Sequence, residues 1–241
     1  MRKLIAAAGT ALLLAGCTTA PAPNDLDWDP HRSFNQTAHK VNVAADRVVV
    51  GPVARAYGEV TPPLLRRGIT NVRDNWKLPG HVVQSALQGD GLQVAKSTTR
   101  FLVNTTFGLG GILDPAKDMD LPYEENGFNE TFYAWGVPEG GYLEIPLGGP
   151  GTERDWTAWG LDIVSDPLNW VLPQEALTGL TVVGGLDLVR KRYEMDSIIE
   201  ALLHQSANSY DATRIAYLQR MRASLGGGTS VDTLEDVYAT E

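Results

Sequence analysis

The chain has 241 residues, with 20 basic and 29 acidic side chains and a net charge of −9 at neutral pH. That length is enough for one large domain or two small ones with a real core. The acidic balance argues against partners found by charge, so nucleic acid and an anionic membrane face are set aside.

Arg2 and Lys3 open a three-zone N-terminus. An apolar run, Leu4 to Ala15, follows, and then Leu14-Ala15-Gly16-Cys17. This is a secretory signal layout, too short to remain as a membrane span. Cys17, the sole cysteine, sits where a lipoprotein peptidase leaves the new first residue, so it is the expected site of a thioether-linked lipid. Removing 16 of the 241 residues leaves 225, and losing Arg2 and Lys3 leaves 18 basic residues against 29 acidic, a net charge of −11. Thr18, not Asp, follows the cysteine, which points to the outer membrane. With the thiol consumed, the mature chain forms no disulfide and is held by packing alone.

Residues 17–30 form a tether, with Pro21, Pro23 and Pro30 favouring extended chain. From Phe34, an apolar stripe of Phe34, Ala38, Val41, Ala45 and Val48 has helical spacing. Gly51-Pro52 is expected to interrupt it, with helix resuming to Tyr57. Pro62-Pro63 opens a helix over Leu64 to Trp76. Pro79-Gly80 is read as a break before a short helix through Leu87, and Leu92 to Thr105 is the next helix. Phe107 to Leu113 is apolar and glycine-rich, and Asp114 to Glu125 is acidic. Tyr142 to Leu147 reads as a short extended piece. Helices are expected from Glu153 to Val164 and from Gln174 to Tyr193. A last helix carries Tyr210, Arg214, Tyr217, Met221 and Leu225 on one side. The acidic tail, residues 226–241, lacks the means to order itself. The fold class is all-α, with many short helices where a simple bundle prefers few long ones. Its apolar faces have two readings: they form a soluble core, or they lie within one membrane leaflet.

No catalytic or metal motif stands out. No serine has the G-x-S-x-G frame, no cysteine survives as a nucleophile, and His31, His39, His81 and His204 lack the i, i+4 pairing of a metal site. Ala95-Lys96-Ser97 lacks the glycine of a phosphate loop. Gly108-Leu109-Gly110-Gly111 has Leu113 where a dinucleotide fingerprint needs its third glycine. The acids from Asp114 to Glu125 do not follow calcium-loop spacing. No cofactor is indicated.

Specific strings then accumulate in order. Asp29-Pro30 with Phe34-Asn35 comes first, followed by Arg66-Arg67-Gly68-Ile69-Thr70-Asn71 and Leu87-Gln88-Gly89. Arg100-Phe101-Leu102-Val103-Asn104-Thr105-Thr106-Phe107-Gly108-Leu109-Gly110-Gly111 and Asp114-Pro115-Ala116 come next. Trp135-Gly136-Val137, Gly140-Gly141-Tyr142-Leu143, Ile145-Pro146-Leu147, Arg154-Asp155 and Ala216-Tyr217-Leu218-Gln219-Arg220 complete the series. Over about residues 29 to 222 the chain resembles the MlaA/VacJ lipoproteins. It departs from their pattern at Gly148-Gly149, at Gly151 after Pro150, and at Gly127-Phe128-Asn129-Glu130-Thr131.

The resemblance implies a flat ring of helices, residues 31–225, embedded in one leaflet with a central amphipathic channel. It implies an outer-membrane lipoprotein, anchored in the inner leaflet, that removes misplaced phospholipid from the outer leaflet. Its implied partners are phospholipid, a trimeric porin and a soluble periplasmic lipid carrier. Phe34, Asn35, Phe107, Gly108, Gly110 and Gly111 are the candidate channel or gating residues. Two other readings compete: an envelope hydrolase acting on lipid or peptidoglycan, and a structural lipoprotein that only scaffolds porin.

Overall fold

The computed structural model describes residues 26–226. Cys17 and the acidic tail beyond Gly226 lie outside the described residues. Among the described residues the only paired extended backbone is two isolated bridges, Tyr142 with Thr152 and Ile145 with Gly149. The rest is helix and turn, as expected for an all-α chain, and the short extended piece falls where the sequence places it.

Helix α1 (Arg32–Ala45) does not end near Gly51-Pro52. It runs through a π turn, Asp46–Val50, into α2 (Gly51–Val60). Pro52 lies in the first turn of α2, where a missing N–H matters least. The extra residue of the π turn shifts the helical register without stopping the helix, so the expected interruption becomes a phase change.

A second correction concerns α3, which is one helix, Pro63–Gln88, with Pro79 inside it. A proline there costs roughly 3 kcal/mol locally. Packing offsets that: Asn75, Leu78, His81, Gln84 and Ser85 form a buried face, and α3 lies against two other long helices, α4 (Gly91–Thr106) and α9 (Gln174–Glu194). Gly89, at φ 77°, ends α3. Asp90 then starts α4 by accepting a 2.9 Å bond from the Gln93 N–H.

The remaining helices are α5 (Pro115–Asp118), α6 (Phe128–Ala134), α7 (Glu153–Ser165), α8 (Leu168–Val171), α10 (Asp196–Glu200) and α11 (Ser209–Ser224). A second π turn, Ala201–Gln205, follows α10. Helix α7 begins with a capping box in which Thr152 and Asp155 satisfy each other's backbone N–H.

Contacts between elements close into a circuit. Helix α3 packs on α9, α9 on α10, α10 on the second π turn and that turn on α11. Helix α11 reaches α7 where the Tyr217 hydroxyl donates to Asp155 at 2.6 Å. Helix α7 packs on α6, and α6 packs on α3. This is the helical ring that the resemblance implies.

The partition of side chains is inverted relative to a water-soluble domain. Among the described residues 17 buried positions are polar or charged and 11 are hydrophobic, while 29 large hydrophobics are exposed. The first stripe shows the inversion in detail. Ala38 is buried, but Phe34 is 51% exposed, Val41 43% and Val48 72%. The buried side of α1 and its π turn carries Asn35, His39 and Asp46 instead. Much of this apolar surface therefore lies on the outside of the described fold and is not packed in its core.

Candidate functional site

Two adjoining cavities of ≈ 410 and ≈ 430 Å³, together called the chamber, lie among α3, α7 and α9 and share Lys77, Trp159 and Asp166 in their walls. The chamber is amphipathic along α9. Leu177 and Leu180 line it from the N-terminal half of that helix, and Asp187 and Lys191 line it near the C-terminal end. Trp76, Trp159 and Leu168 extend the apolar part.

The charged part is a network with few loose ends. Glu125 accepts from Lys77 at 2.5 Å and from Arg73 at 3.2 Å. Arg73 also pairs with Asp74 at 2.7 Å and with Asp187 at 3.3 Å. Asp187, fully buried, meets Arg190 at 2.8 Å and Lys191 at 3.5 Å as well. Burial pushes the Glu125 carboxyl upward, but Lys77 and Arg73 outweigh it and hold its pKa down at about 2. Burial lowers the Lys191 pKa, and the neighbouring Arg73 lowers it further.

His81 belongs to the chamber wall and to the buried face of α3. Its ring lies 5.5 Å from that of Tyr123, and its Nδ1 is buried without a hydrogen-bond partner. Desolvation lowers its pKa from the ordinary 6.5 to about 4. Between those values the unfolded chain binds a proton that the folded chain does not, so stability falls as pH drops through that window. At 1.36 kcal/mol per unit, His81 makes the fold about 3 kcal/mol less stable at pH 4 than at pH 7. Denaturant midpoints for wild type and His81→Phe across pH 7 to 4.5 should therefore diverge, with the variant showing the flatter profile. Parallel profiles would show that His81 is not the buried neutral group.

A second assembly pins the extended piece to α1. Asn35, fully buried, donates to the Tyr142 carbonyl at 2.8 Å and to Asp29 at 3.1 Å. Its carbonyl accepts from the Glu144 N–H at 2.9 Å. Glu144 is buried too, and it accepts from Asn42 at 2.8 Å and from the Tyr142 hydroxyl at 3.0 Å, and pairs with His39 at 3.1 Å. His39 in turn reaches Ser209 at 3.0 Å, on α11. The latch thus joins α1, the 142–147 segment and α11.

A third knot explains the longest motif. Arg100 grips Asp114 at 2.9 and 3.0 Å and also donates to the Leu121 carbonyl. Asn104 donates to Asp114 at 2.8 Å and accepts from the Ala116 N–H at 3.0 Å. The glycines close the turn between these residues. Gly111 sits at φ 95°, and a Cβ there would lie 2.6 Å from that of Asn75.

None of the six candidate gating residues lies on the chamber wall. Phe34 is exposed at the start of α1, and Asn35 is the centre of the latch. Phe107 is 77% exposed beside the glycine turn. That turn touches the chamber at second hand, because Trp76, a wall residue, donates its indole N–H to the Gly110 carbonyl at 3.1 Å. The chamber residues of α3, α7 and α9 follow no motif spacing, so the sequence did not single them out.

Two departures from the family pattern have a local cause. A Cβ on Gly148 would lie 2.6 Å from the Trp156 ring, and one on Gly151 would lie 2.3 Å from its Nε1. Trp156 donates that N–H to the Leu143 carbonyl at 2.8 Å. The glycines make room for this indole to hold the extended piece from the α7 side.

The family model described as MlaA lipoprotein matches residues 27–224. The intermembrane phospholipid transport system lipoprotein MlaA of Shigella flexneri is 32% identical over 233 residues, covering 95% of this chain and 90% of the relative. The protein of the same name from Haemophilus influenzae is 28% identical, covering 98% and 95%. A solved structure, described as "Structural basis for maintenance of bacterial outer membrane lipid asymmetry", aligns with a TM-score of 0.69 at 29% identity, covering 82% of this chain and 99% of that one. Motifs, ring and matches agree: this chain belongs to the MlaA lipoprotein family.

Proposed function

We propose that this chain is a lipid-anchored conduit that takes mislocalised phospholipid from the outer leaflet of the outer membrane and delivers it to a soluble periplasmic carrier. In this reading residues 1–16 are removed, Cys17 carries the lipid, 17–30 tether the ring, 31–225 form it and 226–241 remain a solvated tail. The ring lies in the inner leaflet beside a trimeric porin, and it conducts without catalysis. The observation that carries the reading is the inverted partition around an amphipathic chamber.

The outside of the ring favours lipid. Val48, Val49, Val50, Val53, Val60, Leu64 and Leu65, all from one stretch of chain, are each 40% exposed or more. Moving seven such side chains from water to hydrocarbon is favourable by something on the order of 10 kcal/mol. Exposed Trp135 and Trp170 add the amphipathic rings that settle at a membrane interface. Among the described residues no helix is long and apolar enough to cross a membrane, so these faces suit a ring lying within a leaflet.

The inside suits a phospholipid in transit. A two-chain lipid has about 30 methylenes, and exposing them to water costs roughly 25 kcal/mol at ~0.8 kcal/mol each. Leu177, Leu180 and Trp76 shield tails, while the charged end near Lys191 and Lys77 offers the head group polar partners. Deleting the gene should raise phospholipid in the outer leaflet, read by the amount of outer-leaflet phospholipid accessible to a phospholipase added to whole cells, and restoring the gene should lower it. An unchanged leaflet on deletion would sink the conduit. Lipid turnover by the purified protein would point to the hydrolase instead.

A further inference from the structure

A cavity of ≈ 680 Å³ lies apart from the chamber. It shares no wall residue with either chamber cavity. Neighbouring residues of α9 separate the two spaces, Lys191 lining the chamber and Arg192 this cavity. Its floor is apolar, built from Leu147, Met195, Ile198, Leu202 and Leu203. Its volume falls within the roughly 300–1,000 Å³ of ordinary ligand pockets.

Most charges on its wall are already committed. Asp46 holds Arg192 at 2.6 and 2.9 Å and His204 at 2.9 Å, and Glu144 belongs to the latch. Arg220 differs. It is exposed at the cavity and makes no hydrogen bond or ion pair among the described residues. An apolar trough with one uncommitted guanidinium is complementary to an amphiphile whose head is a phosphate, which arginine binds well.

We infer that this cavity is a second lipid site, holding one acyl chain of a glycerophospholipid with its phosphate at Arg220. The inference rests on the conduit reading and adds a place where lipid waits outside the chamber, against the latched segment. Leu147 to Pro150 form part of the wall, so an occupied site bears directly on that segment.

The test uses the full lipidated protein in dodecyl maltoside and a phosphatidylglycerol carrying a diazirine near the end of one acyl chain. After photolysis, crosslinks mapped by mass spectrometry should fall on Ile198, Leu202 and Leu203. Ala216→Trp, which fills the cavity, should lower them by about tenfold. Arg220→Glu, an exposed change that leaves the fold intact, should lower them several-fold while crosslinks on Trp76 and Leu180 persist. A diacylglycerol with the same diazirine, lacking the phosphate, should ignore Arg220→Glu. Crosslinks confined to the chamber would overturn the second site and leave the conduit standing. Crosslinks at Ile198 and Leu202 that do not respond to Arg220→Glu would overturn the phosphate assignment. No crosslinks at either place would overturn both readings.

Discussion

Asn35→Ala should unlatch the 142–147 segment. The change leaves the Tyr142 carbonyl and the Glu144 N–H buried without partners. Unpaired buried groups cost about 1–3 kcal/mol each, so for these two the local penalty is about 2–6 kcal/mol. It falls on one segment, because the α3–α4 and α3–α9 contacts do not involve Asn35. Amide exchange at residues 142–149 should therefore speed up while α3 keeps its protection. Outer-leaflet phospholipid should change in the same cells. Asn35→Asp makes a sharper version: it keeps an acceptor for Glu144 N–H but loses the donor and sets a carboxylate against Asp29. Phe34→Ser is the companion. Phe34 is exposed, so stability should stay within about 0.5 kcal/mol, and any lipid phenotype then belongs to function and not to folding. Global unfolding by Asn35→Ala, or full protection at 142–149, would remove the latch from the account.

Asp187→Ala should be the most damaging single change in the chamber. Asp187 is buried against Arg73, Arg190 and Lys191. Removing one partner of a buried ionic group costs about 3–5 kcal/mol, because the other charges remain. Arg73 retains Glu125, and Arg190 retains Glu194. Lys191 retains no other ion pair among the described residues. Adding Lys191→Met to Asp187→Asn should therefore recover part of the loss, a coupling that a double-mutant cycle in urea would read. Strict additivity would mean the two groups do not sense each other.

Much of the fold was legible from local chemistry. Gly89 and Asp90 mark a helix end and a helix start, and Thr152 with Asp155 is readable as a cap. Pro79 misled, because its cost is local and the packing that outweighs it is not. The stripe on α1 was legible as a helical face, but periodicity reports a face and never what covers it. That is why Phe34, Val41 and Val48 read equally well as core until the fold put them outside. Asn35 is part of a recognisable string, yet its main partner lies 107 residues away. The chamber is harder still: Trp76, Trp159 and Asp187 come from three helices and share no spacing. Gly148 and Gly151 looked like departures from a pattern and are the footprint of Trp156.

The inverted partition has a thermodynamic consequence for the chain as a material. Under the proposed conduit reading, the apolar outer face of the folded ring binds amphiphile better than the unfolded chain does, so no single free energy of folding in water describes it. By linkage, its measured stability becomes a function of detergent or lipid activity, rising with the logarithm of that activity. Two laboratories working at different detergent or lipid activities would then report different stabilities for one protein, and both would be right.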